Sequence, residues 1–160
     1  MPIQSGDRLP DVTLRCMIGG AVREISTFAY CRDAVVVLFA VPGAFTPACS
    51  ARHLPGFLER SGELRQRGVD KIACVAVNDI FVMSAWAPAD RLKGRIDMLA
   101  DGNAEFTRAV GLTHDASAYG MGLRSQRYAL VAKYGTVSQI LIDQPGAFEV
   151  SAAEHVLARL

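Results

Sequence analysis

The sequence predicts an α/β fold, with a mixed central sheet and helices on both faces. Three observations carry this. Two short runs, "AVVVLFA" (34–40) and "KIACVAV" (71–77), are almost unbroken apolar stretches rich in β-branched residues, the pattern of strands covered on both faces. Helical stretches separate the strand runs, as βαβ crossovers require. Near the end, "RYALVAKYGTVSQILI" reads as two strands joined by a tight turn at 133–136, with Gly135 supplying the unusual backbone angle.

The remaining elements follow in order. "DVTLRCMI" alternates apolar and polar residues, and suits an early strand. "ACSARHLPGFLERSGELRQRG" reads as helix, kinked by Pro55-Gly56 and ended by Gly68. "DIFVMSAWAPADRL" reads as helix, "DMLA" as a short strand, and "AEFTRAVG" as a short helix closed by Gly111. In the tail "SAAEHVLARL", Ser151 and Glu154 stand at capping-box spacing and predict a terminal helix. This order is the thioredoxin-like arrangement in one domain, residues 1–160. Fold alone does not fix function.

Bulk properties narrow the classes. The chain has 160 residues, enough to bury a core without staples, and a net charge of +1, so no broad field points to nucleic acid or an anionic membrane. No apolar run approaches a membrane span and no signal peptide is visible. A cytoplasmic protein is expected. The cysteines are Cys16, Cys31, Cys49 and Cys74. None forms a C-x-x-C pair or a zinc-ligand pattern, and free thiols are the default.

One of these thiols sits in a distinctive place. The 34–40 run ends in "VPGAFTPACS" (41–50). Thr46 suits an N-cap and Pro47 the first helical position, which puts Cys49 in the first helical turn. Unpaired amides and the positive helix end favour a thiolate there, and such settings lower a cysteine pKa from about 8.5 into the range of roughly 3.5–7.5. Read locally, the pattern is equally consistent with a good helix start in which Cys49 is filler.

The wider chain separates these readings. "VPGAFTPACSARHLPGF", "VAVNDIFVMSAW", "LADGNAEFTRAVGL" and "GLRSQRYALV" together resemble the peroxiredoxins, thiol-dependent peroxidases, specifically their type II/type V branch. The resemblance covers most of the chain in order. It implies that Cys49 is the peroxidatic nucleophile and that Pro42 shields it. It also implies that Thr46 orients the peroxide and that Arg124 is the active-site arginine. Without it, Arg127 is an equal candidate and either could be a solvated surface arginine. The implied substrates are hydrogen peroxide and alkyl hydroperoxides, the implied chemistry requires no metal and no cofactor, and the implied product is a sulfenic acid on Cys49. Arg124, the Thr46 hydroxyl and the Cys49 amide are expected as donors to the developing negative charge.

Some members of this branch resolve the sulfenic acid with a late cysteine, but "IDQPGAFEVSAAEHVLARL" contains none. Cys74 reads as a packed core thiol, Cys16 as half-buried, and Cys31, before a charged turn, as the exposed alternative. The expectation is a one-cysteine cycle completed by glutathione with glutaredoxin, or by thioredoxin, in a homodimer. His53, four residues after Cys49, shares its helix face and raises a Cys–His hydrolase, although no separate acid is evident to orient the ring. A second alternative is a non-catalytic thioredoxin-fold binding or chaperone module. Trp86 and Met83 read as helix packing, and Phe45 as an exposed residue of the loop.

Overall fold

The structure is a computed structural model, and it describes residues 1–48 and 52–160. Cys49, with Ser50 and Ala51, lies outside the described residues. The two apolar runs form β3 (Val35–Ala40) and β4 (Lys71–Ala76), paired in parallel. β1 (Thr13–Ile18) and β5 (Asp97–Ala100) continue the sheet on one side, and β8 (Tyr128–Lys133) with β9 (Thr136–Ile142) on the other. With β2 (Ala21–Ser26) at the edge, the order is β2-β1-β5-β4-β3-β8-β9. The β8–β9 turn has left-handed backbone at Tyr134 and Gly135 (φ 53° and 86°), as the mirror-image hairpin turn requires.

Alternation along β3 splits the core between the faces of the sheet. Val37 and Phe39 join one cluster with α2 (Leu54–Glu59), α3 (Ser61–Gln66), α4 (Ile80–Trp86) and α7 (Ala153–Leu157). Val36, Leu38 and Ala40 join the other with α1 (Thr27–Cys31) and α6 (Glu105–Ala109). This is the mixed sheet with helices on both faces. Met83 and Trp86 are buried in the first cluster as packing residues.

Several elements differ from expectation for local reasons. β2 carries the polar sequence AVREIS with every residue at least partly exposed, so no hydrophobic alternation announces it. The helix after the 41–48 loop takes a wide π-type turn at Arg52 and His53, just ahead of Pro55, then breaks a second time at Arg60. There the Ser61 hydroxyl donates to the Leu58 carbonyl at 2.9 Å. Pro88 splits the next helix, leaving α5 (Ala89–Leu92) as one separate turn. Ser151 does not cap α7. Ala152 holds the N-cap position without a side-chain bond, and the Ser151 hydroxyl is instead bonded to Asp143. A two-stranded ribbon, β6 (Thr113–Asp115) with β7 (Leu123–Ser125), stands outside the main sheet.

Candidate active site

The loop of residues 41–48 leaves the C-terminal end of β3 beside the end of its parallel neighbour β4. Ligand sites of open α/β sheets form at such carboxyl ends. Pro42 is half-buried there, and Pro47 and Ala48 begin a helical turn directly after Thr46. Phe45 is left-handed (φ 65°) and 60% exposed, which agrees with its expected place at the surface. The next residue in the sequence is Cys49.

Two residues past β4 brace this loop. The Asn78 side-chain oxygen accepts from the Ala44 amide at 3.0 Å, and the Val77 carbonyl accepts from Arg124 Nη1 at 2.8 Å. Arg124 lies on β7 opposite His114, and its Nε also donates to the Met121 carbonyl at 2.9 Å. Both partners are neutral, and among the described residues no carboxylate pairs with Arg124. Its guanidinium therefore keeps its positive charge and part of its five-donor fork for something else. It points at the loop: a Cβ placed on Gly43 would meet Met121 Cε at 3.1 Å, Thr46 Cγ2 at 3.2 Å and Arg124 Nη1 at 3.8 Å. The absent Cβ of Gly43 leaves room for the Met121 and Thr46 side chains, with Arg124 in ordinary contact beyond them.

The Thr46 hydroxyl donates to the Gly43 carbonyl at 2.7 Å. Its hydrogen is committed, so it offers lone pairs to a substrate. The expected donor is an acceptor, suited to hold the hydrogen of a peroxide. Pro42, Thr46 and Arg124 are thus brought to one loop end, while Cys49 lies outside the described residues. Sequence reasoning missed Asn78, although it sits inside the block "VAVNDIFVMSAW".

Arg127 lines a cavity together with Pro42, Ala48, Ser125 and Gln126. Its Nη1 donates to His53 Nδ1 at 2.8 Å, and its guanidinium carbon lies 5.6 Å from the Phe148 ring centre. His53 is fully buried among the rings of Phe39, Phe57 and Phe148. Its Nε2 meets the Ser151 carbonyl at 3.1 Å. Burial, and then the Arg127 charge, push its pKa down to about 3. An imidazole with both nitrogens occupied and no affinity for a proton near neutrality cannot serve a hydrolase as base.

That depression has a consequence for stability. Because the folded value lies below the ordinary 6.5, the unfolded chain binds a proton between pH 6.5 and about 3 that the folded chain refuses. Stability is full above this window and is lost as pH falls through it. Urea titrations at pH 7 and pH 4 are expected to show a loss of several kcal/mol, an order-of-magnitude figure from 1.36 kcal/mol per pKa unit. A His53→Phe chain should lose less over the same interval. An equal loss in both chains would assign the acid sensitivity to other groups.

The other thiols are withheld. Cys74 is fully buried in β4, as expected of a packed core thiol. Cys31 is buried in α1, against the expectation of an exposed alternative. Its side chain turns into the core although the charged pair after it is at the surface, and burial pushes its pKa up to about 11. Cys16, expected half-buried, is also buried, and its pKa is raised first by burial and then by Asp97. A thiol in this condition is a poor nucleophile at neutral pH.

The fold and the loop define a redoxin: residues 4–157 match the family model of that description. The chain is 48% identical to the protein named Peroxiredoxin-2E-2, chloroplastic, of Oryza sativa subsp. japonica, over 99% of this chain and 72% of that protein. It is 42% identical to Peroxiredoxin-2C of the same organism over 99% of each. Among solved structures, reduced Prx3 from Vibrio vulnificus in complex with H2O2 superposes with a TM-score of 0.93 at 46% identity, covering 98% of both chains. The chain belongs to the peroxiredoxin family, on its type II/type V branch, and is a thiol-dependent peroxidase.

Proposed function

We propose that this chain reduces hydrogen peroxide and small alkyl hydroperoxides at Cys49, in a one-cysteine cycle. The observation that carries the reading is the Arg124 guanidinium, which pairs with no carboxylate among the described residues, set against the Gly43–Thr46 turn that precedes Cys49 in the sequence. The Cys49 thiolate attacks the peroxide oxygen that bears hydrogen. The S–O bond forms as the O–O bond breaks, and the leaving alkoxide or hydroxide takes a proton from water. Thr46 holds the peroxide hydrogen through its free lone pairs, and Arg124 stabilises charge spreading along S–O–O. Pro42 covers the sulfur and limits water.

The resulting sulfenic acid needs a partner thiol. Cys16, Cys31 and Cys74 are buried in the core, which supports a reductant from outside the chain: glutathione with glutaredoxin, or thioredoxin. Its thiol condenses with the sulfenic acid to a mixed disulfide and releases water, and a second thiol then frees Cys49. Core cysteines suit a reducing cytoplasm. Exposed Phe45, on the active loop, supports a homodimer formed through that surface.

Peroxide consumption with each reductant in turn tests the cycle, together with mass spectrometry of peroxide-treated protein without reductant. Turnover with glutaredoxin or thioredoxin and a sulfenic acid on Cys49 are expected. A disulfide from Cys49 to Cys16, Cys31 or Cys74 within one chain would overturn the one-cysteine cycle.

A further inference from the structure

A second cavity opens at the far end of the sheet from the 41–48 loop, and shares no residue with that loop or with the ribbon that carries Arg124. Strand pairing explains it. β1 stays on β2 through Ile18↔Ala21, and β5 stays on β4 from Ala73↔Asp97 onward. Between β1 and β5 the register holds a single pair, Arg15↔Ala100. Beyond that pair the strands part, so residues 16–18 and 97–99 face each other without ladder partners on that side. The space between them is a cavity of about 610 Å³, a size typical of sites for small ligands. α4, α5 and the chain entering β5 close it, and Met17, Ile25, Leu92, Ile96 and Met98 make its wall mainly apolar.

Two opposite charges stand in this wall, and one buried tyrosine holds both. The Tyr30 hydroxyl donates to Asp97 Oδ2. Lys71 Nζ donates to the Tyr30 carbonyl at 2.8 Å and lies 4.4 Å from the centre of the Tyr30 ring. No ion pair joins Lys71 to Asp97, or either of them to another charged side chain among the described residues. The carboxylate keeps its second oxygen, and the ammonium two of its three hydrogens, for a ligand.

An anion and a cation held apart, beside apolar walls and open strand edges, complement one kind of molecule. It carries its own ammonium and carboxylate at separate points, with apolar side chains between them and peptide groups that pair with a strand edge. A simple amine would meet the repulsion of Lys71, and a simple carboxylate that of Asp97. We infer that the cavity between β1 and β5 binds a short apolar peptide with free ends, its ammonium on Asp97 and its carboxylate on Lys71. The site stands apart from the peroxidase chemistry and does not rest on it.

Titration calorimetry of the purified full chain with the dipeptide Leu-Leu tests this. Saturable one-site binding is expected, with a rise in melting temperature at saturation. Acetylating the amino end or amidating the carboxyl end of the peptide should each weaken binding about tenfold or more, the scale of one lost charge-assisted hydrogen bond. Asp97→Asn should weaken the free peptide by a similar factor and make acetylation immaterial. Lys71→Met should do the same for amidation, because each cap then removes a contact already gone.

Absence of saturable binding would overturn the inference. So would capped peptides that bind the parent chain as tightly as the free one, or capping losses that persist in full in the matching variant. Tighter binding of hexylamine or hexanoate than of Leu-Leu would give the cavity to a singly charged amphiphile and also overturn it. Should either variant fail to fold, the capped peptides on the parent chain still decide.

Discussion

Replacing Cys49 with serine is expected to abolish peroxide consumption while leaving circular dichroism and melting temperature close to those of the parent. Peroxide reduction requires a nucleophile that is ionised near neutral pH and polarisable enough to attack oxygen. An alcohol is neither, since its proton is held far more tightly than that of a thiol. The remaining cysteines cannot substitute. Cys74 is sealed in β4, and Cys16 and Cys31 have their pKa values raised by burial. The loss should therefore be complete within detection and not merely a reduction. Residual turnover in Cys49→Ser that disappears in Cys31→Ser would move the chemistry to a residue argued here to be inert.

Arg124→Ala is expected to cost about two to three orders of magnitude in kcat/KM, the scale seen when one preorganised donor to a transition-state charge is removed. Two effects act in the same direction. If Arg124 stands beside Cys49 as proposed, the thiolate loses a nearby cation, so its titration midpoint should rise and less of it should be ionised at neutral pH. The charge that spreads over the breaking O–O bond also loses its donor. Thiolate absorbance against pH separates the two, because rates compared at full ionisation isolate the second. Arg124→Lys should recover little, since an ammonium cannot hold the Val77 and Met121 carbonyls and still present a planar fork. A variant with parental rate and parental titration would remove Arg124 from the site.

Much of the architecture could be read before any coordinates. The runs that became β3 and β4 are buried on both sides, so continuous hydrophobicity marks them directly. The β8–β9 turn announces itself through Gly135. The elements that escaped notice are those whose residues face water. β2 has every residue at least partly exposed, and β6 with β7 are three-residue strands without alternation. That last ribbon carries Arg124 to the loop. Residue types could nominate Arg124 and Arg127 equally. Separating them locally requires knowing that one donates to Val77 and the other to His53, contacts spanning 47 and 74 residues of chain. Ser151 shows the reverse error. Its spacing to Glu154 fits a local cap, but tertiary demand from Asp143 takes the hydroxyl elsewhere. The misplacement of Cys31 has the same origin, since a charged neighbour says nothing about the direction of a side chain on α1.

The seclusion of Cys16, Cys31 and Cys74 makes the native chain its own single-site reagent. A bulky maleimide offered briefly to folded protein is expected to react slowly at these three buried sulfurs, so the dye incorporated should chiefly count the state of Cys49. Labelling stoichiometry then reports in real time how much of a population stands ready and how much has been spent, with no cysteine engineered in or out.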